Sequence, residues 1–374
     1  MTKPFVLVTG GCGFIGSHIV DLLVLKGYRV RVFDNLDPQV HAAGRMPSWK
    51  NPGAEYIQDD IQNTNALDRA LNSIDAVLHN AAAVGVGQSQ YQIKHYTNVN
   101  IGGTANLLDL AVNQHRDKIR KIIVASSMSC YGEGSYVCPK CGPALATLRS
   151  AEAMRAGKWE VPCSKCGSWL KPAGTAETKP FECTSIYAIT KKVQEEMVLN
   201  IGHTYKIPVV ALRYFNVYGP RQSLSNPYTG VAAIFLSRLK NRNSPVIYED
   251  GLQTRDFVSV HDIAKANLMA LESSKADHQS FNVGTGEAVS VLEIAKKLSK
   301  LLGENTQPEI TKKFRPGDIR HCFSDISKIS RTLGFKPEWD FERGMKKLID
   351  WSKSQTVTDK FDLASHELKE KGLI

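Results

Sequence analysis

At 374 residues the chain exceeds the roughly 250–300 residues at which a single core stops growing, so one large lobe with a smaller one is expected. Its 47 basic and 37 acidic residues leave a formal charge of +10, but the basic residues are scattered and form no block. That balance suits a compact polyanionic ligand and gives little support to nucleic-acid binding. No apolar run approaches the ~20 residues of a membrane span, so a cytoplasmic protein with no membrane partner is expected.

The first apolar run, Phe5-Val6-Leu7-Val8, leads into Thr9-Gly10-Gly11-Cys12-Gly13-Phe14-Ile15-Gly16 and then a periodic segment from Ser17 to Lys26 that stops at Gly27. This order reads as strand, glycine turn and helix. Glycines let the backbone turn tightly and approach a pyrophosphate, whose charge the unpaired amides and dipole of the helix N-terminus stabilise. A second strand, Tyr28 to Phe33, ends in Asp34, at about the ~20-residue distance of a carboxylate that grips an adenosine ribose. An acid there repels a 2′-phosphate and so favours NAD over NADP. The plain alternative is a strand-loop-helix with a solvated aspartate.

Short β-rich runs then alternate with helical ones: Ala76 to His79 as a strand, about Gly103 to Asn113 as a helix, Ile122 to Ala125 as a strand. Alternation of this kind implies a parallel sheet covered on both faces. In the next helical stretch Tyr187 and Lys191 stand four residues apart, which puts both on one face. An ammonium beside a phenol favours the phenolate and lowers its pKa, making a base that can take a proton from a hydroxyl near neutral pH. Without context such a pair is more often two solvated side chains. Gly202 is expected to end this helix, ahead of a strand at Val209 to Leu212. After loops rich in Asn, Pro and Gly, Ser290-Val291-Leu292-Glu293 reads as a capping box opening a helix that Gly303 closes. The last ~20 residues are polar and are expected to fray.

Four of the eight cysteines fall in one segment, as Cys138-Pro139-Lys140-Cys141-Gly142 and Cys163-Ser164-Lys165-Cys166-Gly167. Each Cys-x-x-Cys lets two thiolates grip one metal from a tight turn, the glycine after it lets the backbone curl back, and 21 intervening residues suffice to bring the pairs together. Four sulfur ligands in a closed tetrahedron specify structural zinc, since a catalytic zinc keeps an open position. A disulfide pair, a redox dithiol and an iron site are the alternatives. From Cys138 to Lys171 there are six basic and two acidic residues, but a zinc held by four thiolates carries two negative charges of its own. Cys12, Cys130, Cys183 and Cys322 are isolated and read as small buried hydrophobes.

With these residues in hand, the chain resembles the extended short-chain dehydrogenase/reductases, and within them the nucleotide-sugar epimerases of the UDP-galactose 4-epimerase type. The resemblance implies an α/β fold: a Rossmann-like doubly wound parallel sheet with a smaller C-terminal substrate lobe and a zinc-knuckle insert. The expected division is 1–137 with 174–215 for NAD, 138–173 for the insert, and 216–374 for the nucleotide sugar, with some segments returning to the sheet. Thr9 to Gly16 looks like the family's cofactor turn, with Gly10, Gly13, Phe14, Ile15 and Gly16 against NAD, and Asp34-Asn35 like its ribose segment. Asp60-Ile61 resembles the pair that contacts adenine; Ala81, Ala82 and Asn100 match positions lining the NAD site. Ser127, in Ser126-Ser127-Met128-Ser129-Cys130-Tyr131-Gly132, occupies the place of the catalytic serine or threonine, beside Tyr187 and Lys191. Asn216, in Leu212 to Arg221, would meet the diphosphate; Arg255 in Gln253 to Val258 and Arg315 in Arg315-Pro316-Gly317-Asp318 would hold phosphate and nucleoside, as planar guanidinium groups suit.

Departures narrow the reading. Family dehydratases carry Asp-Glu directly after the catalytic serine or threonine, where this chain has Met128-Ser129, so water elimination loses its acid and base. Val84 stands where some relatives carry lysine. The cysteine insert lies between Ser127 and Tyr187, at the rim of the site, as a lid or wall that selects the sugar or as a dimer brace. Together with Asp37-Pro38-Gln39-Val40-His41 it is similar to the subgroup assigned as dTDP-L-rhamnose 4-epimerases. The resemblance implies a UDP- or dTDP-sugar substrate, C4 inversion with tightly held NAD, and a homodimer. The rivals are a nucleotide-sugar dehydrogenase or reductase that releases NADH and a non-catalytic NAD-sensing protein.

Overall fold

The computed structural model describes residues 3–41, 44–315 and 317–373; Pro316 of the arginine motif lies outside them. Seven parallel strands run through its centre: β1 (Phe5–Thr9), β2 (Arg29–Asp34), β3 (Ala54–Gln58), β4 (Ala76–His79), β5 (Lys121–Ser127), β6 (Val209–Tyr214) and β7 (Gln279–Val283). Their spatial order is β7-β6-β5-β4-β1-β2-β3. The strands are nearly continuous apolar runs because both faces are covered. In β1 the period of two sends Val6 and Val8 into one apolar cluster and Phe5 and Leu7 into the other.

Helices α1 (Phe14–Leu25), α2 (Thr64–Leu71), α3 (Gly103–Asn113), α4 (Ile186–Tyr205) and α5 (Val260–Glu272) cover those faces. Ile19, Val20 and Leu23 of α1 join Ile263, Ala264 and Ala266 of α5 on one side. Leu67 of α2, Leu107 of α3 and Val198 of α4 cover the other. Strand order reverses between β1 and β4, so a crevice opens beyond the carboxyl ends of the strands, the place where open α/β sheets bind ligands. Thr9, Asp34 and Ser127 all end strands there.

The C-terminal portion has its own apolar cluster, including Phe235, Leu236, Ile294, Leu298, Met345 and Leu348. The cysteine segment forms a small antiparallel sheet, Ser135–Cys138 between Gly142–Ala144 and Lys171–Ala173, around Tyr136, Cys138, Val161, Cys163 and Leu170.

Two expectations need correction. Gly202 does not end its helix: α4 continues to Tyr205, and Lys206, with φ 60°, is the left-handed cap. The glycine serves close packing, since a Cβ there would stand 2.2 Å from Val209 Cγ2. The polar tail does not fray either: Phe361–Glu370 is a helix with Ala364 and Leu368 buried. Tyr228 donates its hydroxyl to Glu367 at 2.5 Å, and Leu368 packs beside Gly87.

Candidate active site

The glycine turn is closed to side chains. Gly10 has φ 67°, and a Cβ on it would lie 2.9 Å from Ala81 N; one on Gly16 would lie 2.2 Å from Gly10 O. Helix α1 starts at Phe14 with Gly13 as its cap and no side-chain acceptor, so the amides of Phe14, Ile15 and Gly16 are left to a ligand. Asp34 closes the turn by accepting from Cys12 N and Leu36 N, each at 2.9 Å. Asn35 donates to Asp60 at 2.8 Å, which brings the predicted ribose and adenine residues together at the ends of β2 and β3. Burial raises the Asp60 pKa, but the bonds from Gln62 and Asn35 outweigh it and hold the carboxyl below its ordinary value. Ile61 is buried against Gly103, and Ala81 N donates to Thr9 Oγ1 at 3.2 Å; Ala82 lies half-buried beside it. This cradle fits a dinucleotide.

Ser127 ends β5, and Tyr187 and Lys191 share the buried face of α4. Ser185 starts that helix by capping Ala188 N at 3.1 Å, and Tyr187 N donates to Ser89 Oγ at 3.0 Å. Ser127 Oγ accepts from Ser129 Oγ at 2.9 Å and Ser129 N at 3.2 Å, so its own proton can be given away. The phenol of Tyr187 is pushed up to about 12 by burial, against a downward pull from the Ser127 hydroxyl. Lys191 is drawn down to about 8 by burial. Burial thus raises the phenol where a lowering was expected, and the Lys191 ammonium donates to the Ala125 carbonyl at 2.9 Å.

Asn100 uses its amide inside the protein. It pairs with the backbone of Ala83 at 2.7 and 3.1 Å and donates to Thr190 at 2.9 Å, tying the 81–83 loop to α4. The substrate candidates gather across the crevice. Asn216 leaves Oδ1 buried and without a partner, and its strand, Asn216–Tyr218, pairs with Phe257–Ser259 beside Arg255. Arg255 donates to the carbonyls of Thr254, Ile319 and Arg320 at 2.7 to 3.0 Å, so it braces the backbone behind Asp318. Arg315 bonds Asp318 at 2.8 Å, stacks 5.2 Å over Tyr248 and keeps 40% of its side chain exposed. Neighbouring Gly317 lies close to the carbonyl of Thr184, at the start of the Tyr187 helix.

The sulfurs of Cys138, Cys141, Cys163 and Cys166 lie within 4.8 Å of one another, a donor set able to hold one metal ion. The glycine after each pair is left-handed, Gly142 at φ 78° and Gly167 at φ 71°, as the knuckle reading requires. Sequence reasoning missed the charges behind the site. Glu195 of α4 accepts from Arg213 at 2.6 Å, Ser126 at 2.5 Å and Ser280 at 2.8 Å, locking three strands to the helix that carries Tyr187. Its position four residues after Lys191, on the same helical face, was the available signal.

Fold and site together define an enzyme of the extended short-chain dehydrogenase/reductase class. The chain belongs to the family described as GDP-mannose 4,6 dehydratase, which it matches over residues 7–139 and 167–348. It is 35% identical to the dTDP-L-rhamnose 4-epimerase of Burkholderia thailandensis, over 92% of this chain and 94% of that protein. The UDP-glucose 4-epimerase of Thermotoga maritima, solved with UDP-glucose, is 30% identical with a TM-score of 0.76, over 93% and 98% of the two chains. That of Thermus thermophilus, solved with NAD, is 29% identical with a TM-score of 0.73, over 94% and 100%. Among the described residues no helix is long and apolar enough to cross a membrane.

Proposed function

We infer that this protein is an NAD-dependent nucleotide-sugar 4-epimerase, inverting C4 of a UDP- or dTDP-hexose through a transient 4-keto sugar. The observation that carries the reading is Tyr187, buried against Ser127 with Lys191 one turn on, while Met128-Ser129 replaces the acid pair of a dehydratase. The relatives named as 4-epimerases of dTDP-L-rhamnose and UDP-glucose support it.

NAD, when bound, would supply an acceptor for hydride from C4 and the positive charge of its ring. Gly10, Gly13 and the amides of Phe14 to Gly16 would hold its pyrophosphate, Asp34 and Asn35 its ribose, and Asp60 and Ile61 its adenine, with Ala81 and Ala82 lining the site and Asn100, fully buried and contrary to its expected place against NAD, holding the 81–83 loop from behind. Tyr187 takes the proton of the sugar 4-hydroxyl as phenolate and returns it after the sugar turns over. Ser127 donates to the same oxygen and steadies its charge. Lys191 keeps two further donors beyond Ala125, for a ribose hydroxyl. Asn216 meets the diphosphate through its side-chain NH2, which the described residues leave unused while Oδ1 is buried; Arg255 and Arg315 hold phosphate and nucleoside. Structural zinc on the four cysteines and a homodimer across α3 and α4, where Ile189 is 43% exposed, complete the reading.

The test is incubation with a panel of UDP- and dTDP-sugars and product analysis. Inversion at C4 with NAD retained and no net NADH is the expected result. NADH formed in step with turnover moves the assignment to a dehydrogenase.

A further inference from the structure

The cysteine insert meets the rest of the molecule through buried charges. Glu133, with no exposed surface, accepts from Arg320 N at 2.6 Å and from the Tyr136 hydroxyl at 2.8 Å. Arg149 forks onto both oxygens of Glu249, at 2.8 and 2.9 Å, and donates to the Asp318 carbonyl at 2.9 Å. Arg320 answers from the other side, reaching Glu160 of the insert at 2.6 Å, Asp250 at 2.7 Å and Glu249 at 3.0 Å.

Glu249 has φ 56°, a left-handed backbone that a side chain bearing a Cβ adopts only when its surroundings over-determine it. Two arginines do so here. The constraint matters because of its neighbours: Tyr248 carries the guanidinium of Arg315 on its ring, and the Asp318 carboxylate holds Arg315 Nε. Arg149 thus fixes, at once, the residue next to Tyr248 and the backbone of Asp318, the two places from which Arg315 is held. A lysine ammonium lacks the planar fork to reach them together. The family match lapses over 140–166, which contains both Arg149 and Glu160, so this grip is an addition of the insert.

We propose that Arg149 is a positioning residue for Arg315, through which the cysteine insert sets affinity for the nucleoside diphosphate end of the substrate. The proposal rests on the reading of Arg315 as a nucleotide ligand. It makes the insert a wall of the nucleotide pocket, whether or not the chain also dimerises.

The test compares purified holoenzyme with Arg149→Met, Arg149→Lys, Asp318→Asn and the double variant Arg149→Met with Asp318→Asn. Calorimetry gives the Kd of UDP and dTDP, turnover gives KM and kcat, and each preparation is assayed for retained NAD and bound metal. Arg149→Met is expected to raise Kd and KM about tenfold with kcat within about twofold and NAD and metal unchanged. Arg149→Lys should recover part of the loss. Asp318→Asn, which leaves the insert intact, should reproduce it, and the double variant should be no worse than either single. Unchanged Kd in Arg149→Met, additive effects in the double variant, or a loss confined to preparations that have shed metal would each overturn the proposal. If Arg149→Met does not fold, Arg149→Lys and Asp318→Asn decide on the same criteria. Failure of the wild type to bind either UDP or dTDP would instead sink the functional reading, and that measurement needs no variant.

Discussion

The glycine turn and the cysteine insert are held in different ways. In the turn the decisive contacts are steric and mostly local: Gly10, Gly13 and Gly16 let one short loop fold back on itself and against the next strand. In the insert they are ionic and distant, with Glu160 bonded to a residue 160 positions away and Arg149 to one 100 away. The first region is specified by what its residues lack, the second by partners that only the folded chain supplies. A substitution should therefore act locally in the turn and at a distance in the insert.

Metal removal should separate the two most sharply. Structural zinc in small zinc-finger peptides binds with about 10–16 kcal/mol, so if the proposed zinc sits on the four thiolates, chelation or Cys163→Ser should open the insert to protease while NAD stays in place. Simultaneous loss of NAD would show that the regions are one unit. Next in size, Tyr187→Phe should cost roughly 10²–10⁴-fold in turnover with cofactor content unchanged, by steady-state assay and extraction of bound NAD. Wild-type turnover in this variant would remove the proposed base.

A pH series sharpens the contrast further. Burial lowers Lys191 from 10.5 to about 8, so between those values the unfolded chain holds a proton that the folded chain has released. Stability therefore rises with pH across that window, and a penalty of about 3 kcal/mol present below pH 8 fades by pH 10.5. Any advantage of Lys191→Met over wild type in denaturant titrations should shrink accordingly; a constant gap would contradict a strained buried amine. The smallest effect expected is from Gly202→Ala, whose methyl meets Val209 and should lower stability by about 1–3 kcal/mol in thermal unfolding, with kcat and KM unaltered.

Legibility followed the same division. Strands β1, β4, β5 and β6, the glycine turn and the Cys-x-x-Cys pairs were readable because their signals repeat over a few neighbouring residues. The Ser127, Tyr187 and Lys191 grouping was readable through family resemblance, since nothing local says that β5 ends beside α4. Arg149, Glu249 and Arg320 were not readable, because a buried arginine and a solvated one look alike until their acids are placed. Gly202 was misread for a related reason: a glycine late in a helix signals a stop unless the strand pressing on it is known. The tail helix hid behind its polar composition, although Phe361, Ala364 and Leu368 recur at helical spacing.

That tail helix bears on the order in which the molecule is completed. Leu368 leans on Gly87, in the short helix Val86–Ser89 whose Ser89 receives the amide of Tyr187, so this late helix buttresses an element made early in synthesis. Chains fold as they emerge, N-terminal part first. The dinucleotide cradle can therefore assemble on the ribosome well before the short helix beside the Tyr187 amide gains its final support, and a nascent chain stalled short of Leu368 would hold a formed turn beside an unbraced segment 86–89.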